Sequence, residues 1–305
     1  MGSGIILKRF LDYVQFPAKV ACLLPFLFAL LYAALTYRQI DVRDTILLFI
    51  SMFSFDLSIT ALNNYIDSKS SGFPLQFSKT VSKRILFILW AVAGVTAALL
   101  VFYTGPIVLV CGAVCFCVGI FYTFGPAPIS HMPLGEIFSG VFEGFFIPFL
   151  VVFINSPVQS LVGYSLQNWM LQIFFNIPGL FKLAVLTLPA MLGVANIMLA
   201  NNICDVDADV KVNRFTLPYY IGVKNALRLF TLLYYAAFAA VVAMAVLRVL
   251  PVYVLAVLIM AVFVQKNVMT FSWHQSKTKT FPLSVQNFML VMVPLIFVTG
   301  AALIF

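Results

Sequence analysis

Runs of about 20 apolar residues, the length that crosses a bilayer core as a helix, recur from residue 18 to the end of the chain. Short polar or charged segments separate them. Within a run the apolar positions are continuous. They do not alternate with a period of two, which argues against a membrane β-barrel. The pattern predicts nine helices, at 18–37, 45–62, 85–103, 106–124, 134–154, 183–200, 227–247, 251–264 and 285–305. The eighth is short, so totals of eight or ten stay open. The first residues lack a short apolar segment with a small-residue cleavage site, so no removable signal peptide is expected.

Composition fixes the class. Apolar residues make up 63% of the chain and charged residues 9%, where a soluble domain carries roughly 25% charged residues. The expected fold is all-α, a multi-pass transmembrane bundle treated as one membrane-embedded domain over 1–305. The loop charges predict its orientation. With a cytoplasmic N-terminus, the inner segments hold Lys8, Arg9, Lys19, Lys69, Lys79, Lys83, Arg84, Lys211, Arg214, Lys224, Arg228, Lys266, Lys277 and Lys279. The outer ones hold Arg38, Arg43, Lys182 and Arg248. The positive-inside rule favours that arrangement, in a cell's inner or plasma membrane. The net charge of +8 is then a topology signal, and its dispersal over short loops argues against nucleic acid as a partner. The five cysteines show no metal-binding spacing.

One phrase occurs twice, each time where an apolar run gives way to charge: Asn63-Asn64-Tyr65-Ile66-Asp67, and Asn201-Asn202-Ile203-Cys204-Asp205 continuing to Asp207 and Asp209. Of the 10 acids in the chain, Asp67, Asp205, Asp207 and Asp209 lie here. Ile59-Thr60-Ala61-Leu62 and Ile197-Met198-Leu199-Ala200 lead into the two copies. This suggests two weakly repeated halves, roughly 18–154 and 183–305, with a site between them. Asn63, Asp67 and Ser71 are spaced four apart, as are Asn201, Asp205 and Asp209, so each set shares a helix side. Two such oxygen ladders suit Mg²⁺, which binds one or two carboxylates and completes its shell with water and substrate phosphate. Lys69, Lys211 and Arg214 stand close enough in sequence to hold phosphate oxygens.

The two phrases resemble the paired motifs of the UbiA superfamily of intramembrane aromatic prenyltransferases, and are most similar to its 1,4-dihydroxy-2-naphthoate branch. The segment from Lys211 to Gly222, and Tyr122-Thr123-Phe124-Gly125-Pro126-Ala127-Pro128 followed by Leu134-Gly135-Glu136, also resemble that branch. The pattern departs from the family in carrying Asn64 where an acid is common and Ser71 in place of a third acid. It also lacks the Arg-Pro or Arg-Thr signature of the hydroxybenzoate and haem branches and has Pro126 where some members carry Lys.

The resemblance implies Mg²⁺-dependent transfer of a polyprenyl group from its diphosphate to an aromatic acceptor, 1,4-dihydroxy-2-naphthoate first, in menaquinone biosynthesis. Hydroxybenzoate, haem and other quinone precursors are the alternatives. It implies metal ligation by Asn63, Asp67, Asp205 and Asp209. Donor or acceptor contacts would come from Asn64, Lys69, Asn201, Lys211, Arg214 and Tyr122.

Two further readings concern acids within spans. Asp56, seven residues before Asn63, is a candidate for holding the acceptor or removing the ring proton, against a structural hydrogen bond to a neighbouring helix. Of Glu136 and Glu143, the latter lies deeper and is the stronger candidate. A secondary transporter is disfavoured because the acids cluster at helix ends, not at a midplane. A non-catalytic lipid-binding protein stays open.

Overall fold

A computed structural model describes residues 3–70, 75–126 and 128–304, with the side chains of Ser3, Asp67, Lys69 and Ser70 outside that description. Among the described residues, nine segments are long and apolar enough to cross a membrane: Phe16–Tyr37, Val42–Ile66, Lys79–Thr104, Pro106–Thr123, Gly135–Asn155, Ile177–Lys211, Val223–Val246, Val252–Trp273 and Pro282–Ala301. The eighth is a full span, because a 3₁₀ stretch, Val252–Met260, runs directly into the helix Ala261–Trp273, which carries the span nine residues beyond the expected end at 264. Large apolar side chains such as Phe87, Phe102 and Val246 are more than 70% exposed, as a lipid-facing surface requires. The chain is an integral, multi-pass membrane protein.

By internal contacts the chain divides into two compact units, Met1–Cys22 with Val42–Ile129, and Leu23–Asp41 with Ser130–Phe305. The first holds α1 (Ser3–Tyr13), α3 (Val42–Ser70), α4 (Lys79–Thr104) and α5 (Pro106–Thr123); α2 is Val20–Tyr37. Ser78 caps α4 by accepting from the Val81 amide. Gly105, at φ 91°, closes α4 and hands the chain to Pro106 at the start of α5. Only glycine enters that backbone region freely, and proline loses nothing at a helix's first turn. Where α3 and α4 pack, the Ser51 hydroxyl donates to the Ala93 carbonyl at 3.0 Å.

In the second unit, α6 (Gly135–Val141), a π-turn (Phe142–Phe146) and α7 (Ile147–Asn155) make one span. A hairpin follows, β1 (Val162–Gln167) antiparallel to β2 (Met170–Phe175). Its two turn residues, Asn168 and Trp169, both have positive φ, 49° and 64°, the geometry of a type I′ turn. The expected spans ended at 154 and resumed at 183, with no element assigned between them. Then come α8 (Ile177–Lys211), α9 (Leu217–Ile221), α10 (Val223–Val246), α11 (Ala261–Trp273) and α12 (Pro282–Ala301).

Helix α8 is the hub of this unit. Of its most apolar window 61% is buried, against 11% in α5. It packs on α6, the π-turn, α10 and α12. Gly140 in α6 and Gly144 in the π-turn let the backbone of this span press onto it: a Cβ on Gly144 would stand 2.4 Å from the Met191 Cα, and one on Gly140 2.7 Å from the Met191 carbonyl oxygen. This is the small-residue contact by which membrane helices approach closely.

Candidate active site

The two repeated phrases end the two longest helices among the described residues. α3 has 29 residues and α8 has 35, lengths of about 44 and 52 Å at 1.5 Å per residue. Both exceed the roughly 30 Å hydrocarbon core, so their last turns emerge at its boundary. Asparagines and aspartates there avoid the full cost of burial in lipid.

In the second phrase, Asn201 and Asp205 share a partner that sequence reading counted only as a topological charge. The Lys277 ammonium, from the turn between α11 and α12, donates to Asn201 Oδ1 and lies 2.5 Å from Asp205 Oδ2. Asp209 does not join them. At 100° per residue, positions four apart drift by 40°, so Asp209 sits about 80° round from Asn201 on the helix. It is buried and meets Arg214, whose Nε lies 3.6 Å from Asp209 Oδ1. Arg214 Nη2 also donates to the Ser130 carbonyl at 3.4 Å. The intervening turn is tight, because the amides of Val212 and Arg214 both donate to the Asp209 carbonyl and Asn213 takes φ 57°. The expected single ladder is therefore two subsites, one served by Lys277 and one by Arg214. Asp207 is exposed on another side, and Lys211 is exposed beside it.

Asn202, about 100° round the helix from Asn201, has a different partner from Lys277's pair. Its Nδ2 donates at 2.9 Å to Oε1 of Glu136, which is 4% exposed. Glu136, Gly140 and Gly144 form a stripe spaced by four, so the glycine contact that seats α6 on α8 also delivers this carboxylate to the phrase. Glu143 sits in the π-turn. The sequence preference for Glu143 over Glu136 is thus set beside a direct link from Glu136 to the motif. The Glu-x3-Gly-x3-Gly spacing was the available signal.

In the first phrase, Asn63 is half-buried. The Asn64 amide is engaged on both sides: Nδ2 donates to the Tyr13 carbonyl at 2.7 Å, and Oδ1 accepts from Gln15 Nε2 at 3.2 Å. It clamps the end of α1, beside a buried cluster of Tyr13, Val14, Leu57, Ala61, Tyr65 and Leu86. Where an acid is common in the family, this chain needs an N–H donor. The Asp67 and Lys69 side chains and residues 71–74, with Ser71, lie outside the described residues. Tyr122 is half-buried at the end of α5.

Asp56 is held by a charged partner within its own unit. Lys19, 4% exposed, lies 2.9 Å from Asp56 Oδ2 and donates to the Asp56 carbonyl and to Thr60 Oγ1 at 3.1 and 2.5 Å. Cys22 Sγ adds a 3.4 Å contact to the same carboxylate oxygen. Lys19 is therefore removed from the loop charges, which leaves the inner excess intact.

Among the described residues no three His, Cys, Asp or Glu side chains form a metal cluster. What the second phrase offers is a carboxylate and an amide oxygen already gathered round an ammonium. Hard oxygens that hold one cation suit a Mg²⁺ ion that keeps waters and takes its other ligands from phosphate.

The fold and site define an integral, nearly all-helical membrane protein with oxygen donors and basic side chains gathered at one end of α8. The chain matches the family model of the UbiA prenyltransferase family over residues 22–293 and is a member of that family. Among curated proteins it is 29% identical over 135 residues to the 1,4-dihydroxy-2-naphthoate octaprenyltransferase of Bacillus subtilis (strain 168), a match spanning 44% of this chain and 37% of that protein. The fold is shared with solved structures. A UbiA homolog from Archaeoglobus fulgidus bound to GPP and Mg²⁺ aligns with a TM-score of 0.65 and 14% identity, over 97% of this chain and all of that one. The apo structure of a homolog from Aeropyrum pernix K1 aligns at 0.63 and 16% identity, over 95% of this chain and 98% of that one.

Proposed function

We propose that this protein transfers a polyprenyl group from a polyprenyl diphosphate to an aromatic acceptor, 1,4-dihydroxy-2-naphthoate, in menaquinone biosynthesis, with Mg²⁺ as cofactor. The observation that carries the reading is the oxygen pair Asn201 and Asp205 gathered round a cation at the end of α8, in a chain of this family. The naphthoate enzyme among its relatives and the absent Arg-containing signature support the acceptor.

In this reading Asn201, Asp205 and Asp209, with Asn63 and Asp67 from the first phrase, hold the metal. When bound there, Mg²⁺ would supply positive charge against the diphosphate and so ease its departure. Lys69, Lys211 and Arg214 hold the remaining phosphate oxygens as positive charge opposite the departing diphosphate. The allylic C–O bond breaks with its electron pair leaving on the diphosphate. A ring carbon then forms the new C–C bond, and in the naphthoate case the ring carboxylate departs as CO₂. Tyr122 offers a π-face to the allylic cation. The apolar helix faces exclude water that would quench it and accommodate the tail among the membrane lipids.

The test supplies geranylgeranyl diphosphate, Mg²⁺ and either naphthoate or hydroxybenzoate to protein in detergent, and reads product and released diphosphate by mass spectrometry. Metal-dependent prenylated naphthoate is expected, with turnover falling at least about 100-fold in Asp205→Ala and Asp67→Ala, as for loss of a central electrostatic group. Product from hydroxybenzoate alone would refute the naphthoate assignment. No product and no diphosphate binding would refute the enzyme.

A further inference from the structure

The oxygen pair of the second phrase already has a cation supplied by the chain itself. Lys277 projects from a turn fixed by its own hydrogen bonds. Thr280 Oγ1 donates to the His274 carbonyl at 2.8 Å and accepts from the Ser276 amide at 2.8 Å, while the Phe281 amide donates to the Ser276 carbonyl at 2.9 Å. The ammonium lies 5.1 Å from the Phe281 ring centroid. The root of the side chain is therefore anchored. Its four-carbon stem is 44% exposed and free to swing. Asp209 differs, since its partner Arg214 is mostly buried and its backbone is tied to the same turn. Of the two cations in this phrase, Lys277 is the displaceable one.

We propose that Lys277 is a tethered counter-ion. In the donor-free protein it competes with a divalent metal for Asn201 Oδ1 and Asp205 Oδ2, and it moves to the diphosphate when metal and donor arrive together. The inference rests on the diphosphate reading above. A Mg²⁺ ion binds oxygen at about 2.0–2.1 Å. An ammonium touching the same two atoms contests those lone pairs and repels the incoming charge. A diphosphate reverses the balance, since it brings oxygen acceptors for the displaced ammonium and ligands for the metal. Metal loading is thereby coupled to donor loading, and Lys277 acts as a positioning residue for the leaving group.

The experiment measures Mn²⁺ binding to the full-length protein in detergent by the loss of the free-ion EPR signal, with and without inorganic pyrophosphate. It compares wild type, Lys277→Gln, Lys277→Arg and Asp205→Asn. Removing a partly exposed ion pair from a competing site is expected to tighten Mn²⁺ binding without pyrophosphate about tenfold in Lys277→Gln, equivalent to some 1.4 kcal/mol. The same variant should weaken pyrophosphate binding by a similar factor. Lys277→Arg keeps the charge and should leave metal-alone binding as weak as wild type, which separates displacement from damage to the turn. If Lys277→Gln and wild type bind metal alike while Asp205→Asn loses it, the inference falls and the functional reading stands. If wild type binds no metal with pyrophosphate and Asp205→Asn changes nothing, both fall.

Discussion

Two side chains that the sequence offered as substrate contacts, Asn64 and Asp56, also have partners within the protein, and their chemistry says how to tell the two uses apart. Asn64 gives an N–H to the Tyr13 carbonyl. An Asp at this position, as the family pattern allows, would face a carbonyl oxygen with a carboxylate and leave that carbonyl unsatisfied. Asn64→Asp is expected to lower stability by about 1–3 kcal/mol, read as a drop in thermal midpoint in detergent, with no gain in Mn²⁺ affinity. A gain in affinity would return Asn64 to the ligand set. Lys19 and Asp56 form a pair in which removing one partner strands the other charge near lipid. Lys19→Met should cost about 3 kcal/mol, and adding Asp56→Leu should restore much of it. A double variant no better than the single would show that Asp56 is not the charge Lys19 neutralises.

At the scale of elements, the decisive contact is the seat of α6 on α8. Gly144 meets the Met191 backbone, which cannot swing aside as a flexible side-chain end can. Gly144→Ala is therefore expected to destabilise by about 1–3 kcal/mol or more and to reduce turnover by shifting Glu136 off Asn202. Gly94→Ala in α4 meets nothing within 4 Å and should be neutral or slightly stabilising; equal melting losses in the two would rule out the close approach. The spans were legible because a continuous apolar run of helix length, flanked by charge, matches the hydrocarbon core of a bilayer in both length and polarity. The β-hairpin was not. Its turn is Asn168-Trp169, without the glycine that usually marks a type I′ turn, and the apolar β2 stretch runs on through Asn176 into the apolar start of α8 without the alternation that marks a half-buried strand. The Asn and Asp phrases announced a site, but their partners lie 66 and 76 residues away, beyond any local periodicity. The i, i+4, i+8 spacing placed Asp209 with its neighbours, while the helix's own 40° drift turned it toward Arg214.

At the scale of the molecule, α8 fixes the geometry of its unit. Asn176 caps its first turn directly after the hairpin, and Lys211 ends it beside the second phrase. The hairpin and that phrase stand at opposite ends of a helix of about 52 Å, longer than the membrane core, and so on opposite faces of the bilayer. Lys277 fastens the α11–α12 turn to the Asp205 end. Within this unit Lys211, Arg214, Lys224, Arg228, Lys277 and Lys279 belong to the segments on that side, against Arg38, Lys182 and Arg248 on the other, which gives the expectation that it is the cytoplasmic face. Single-cysteine labelling in a background lacking the five native cysteines checks this. Trp169 is 98% exposed at the hairpin tip, so Trp169→Cys should react with a membrane-impermeant maleimide in intact cells. Lys279→Cys, exposed on the opposite turn, should react only after permeabilisation. The reverse pattern would invert the protein, and with it the compartment from which a charged diphosphate reaches Asp205 and into which the leaving group is released. Labelling of both positions in intact cells would contradict the opposed placement of hairpin and phrase that the length of α8 requires.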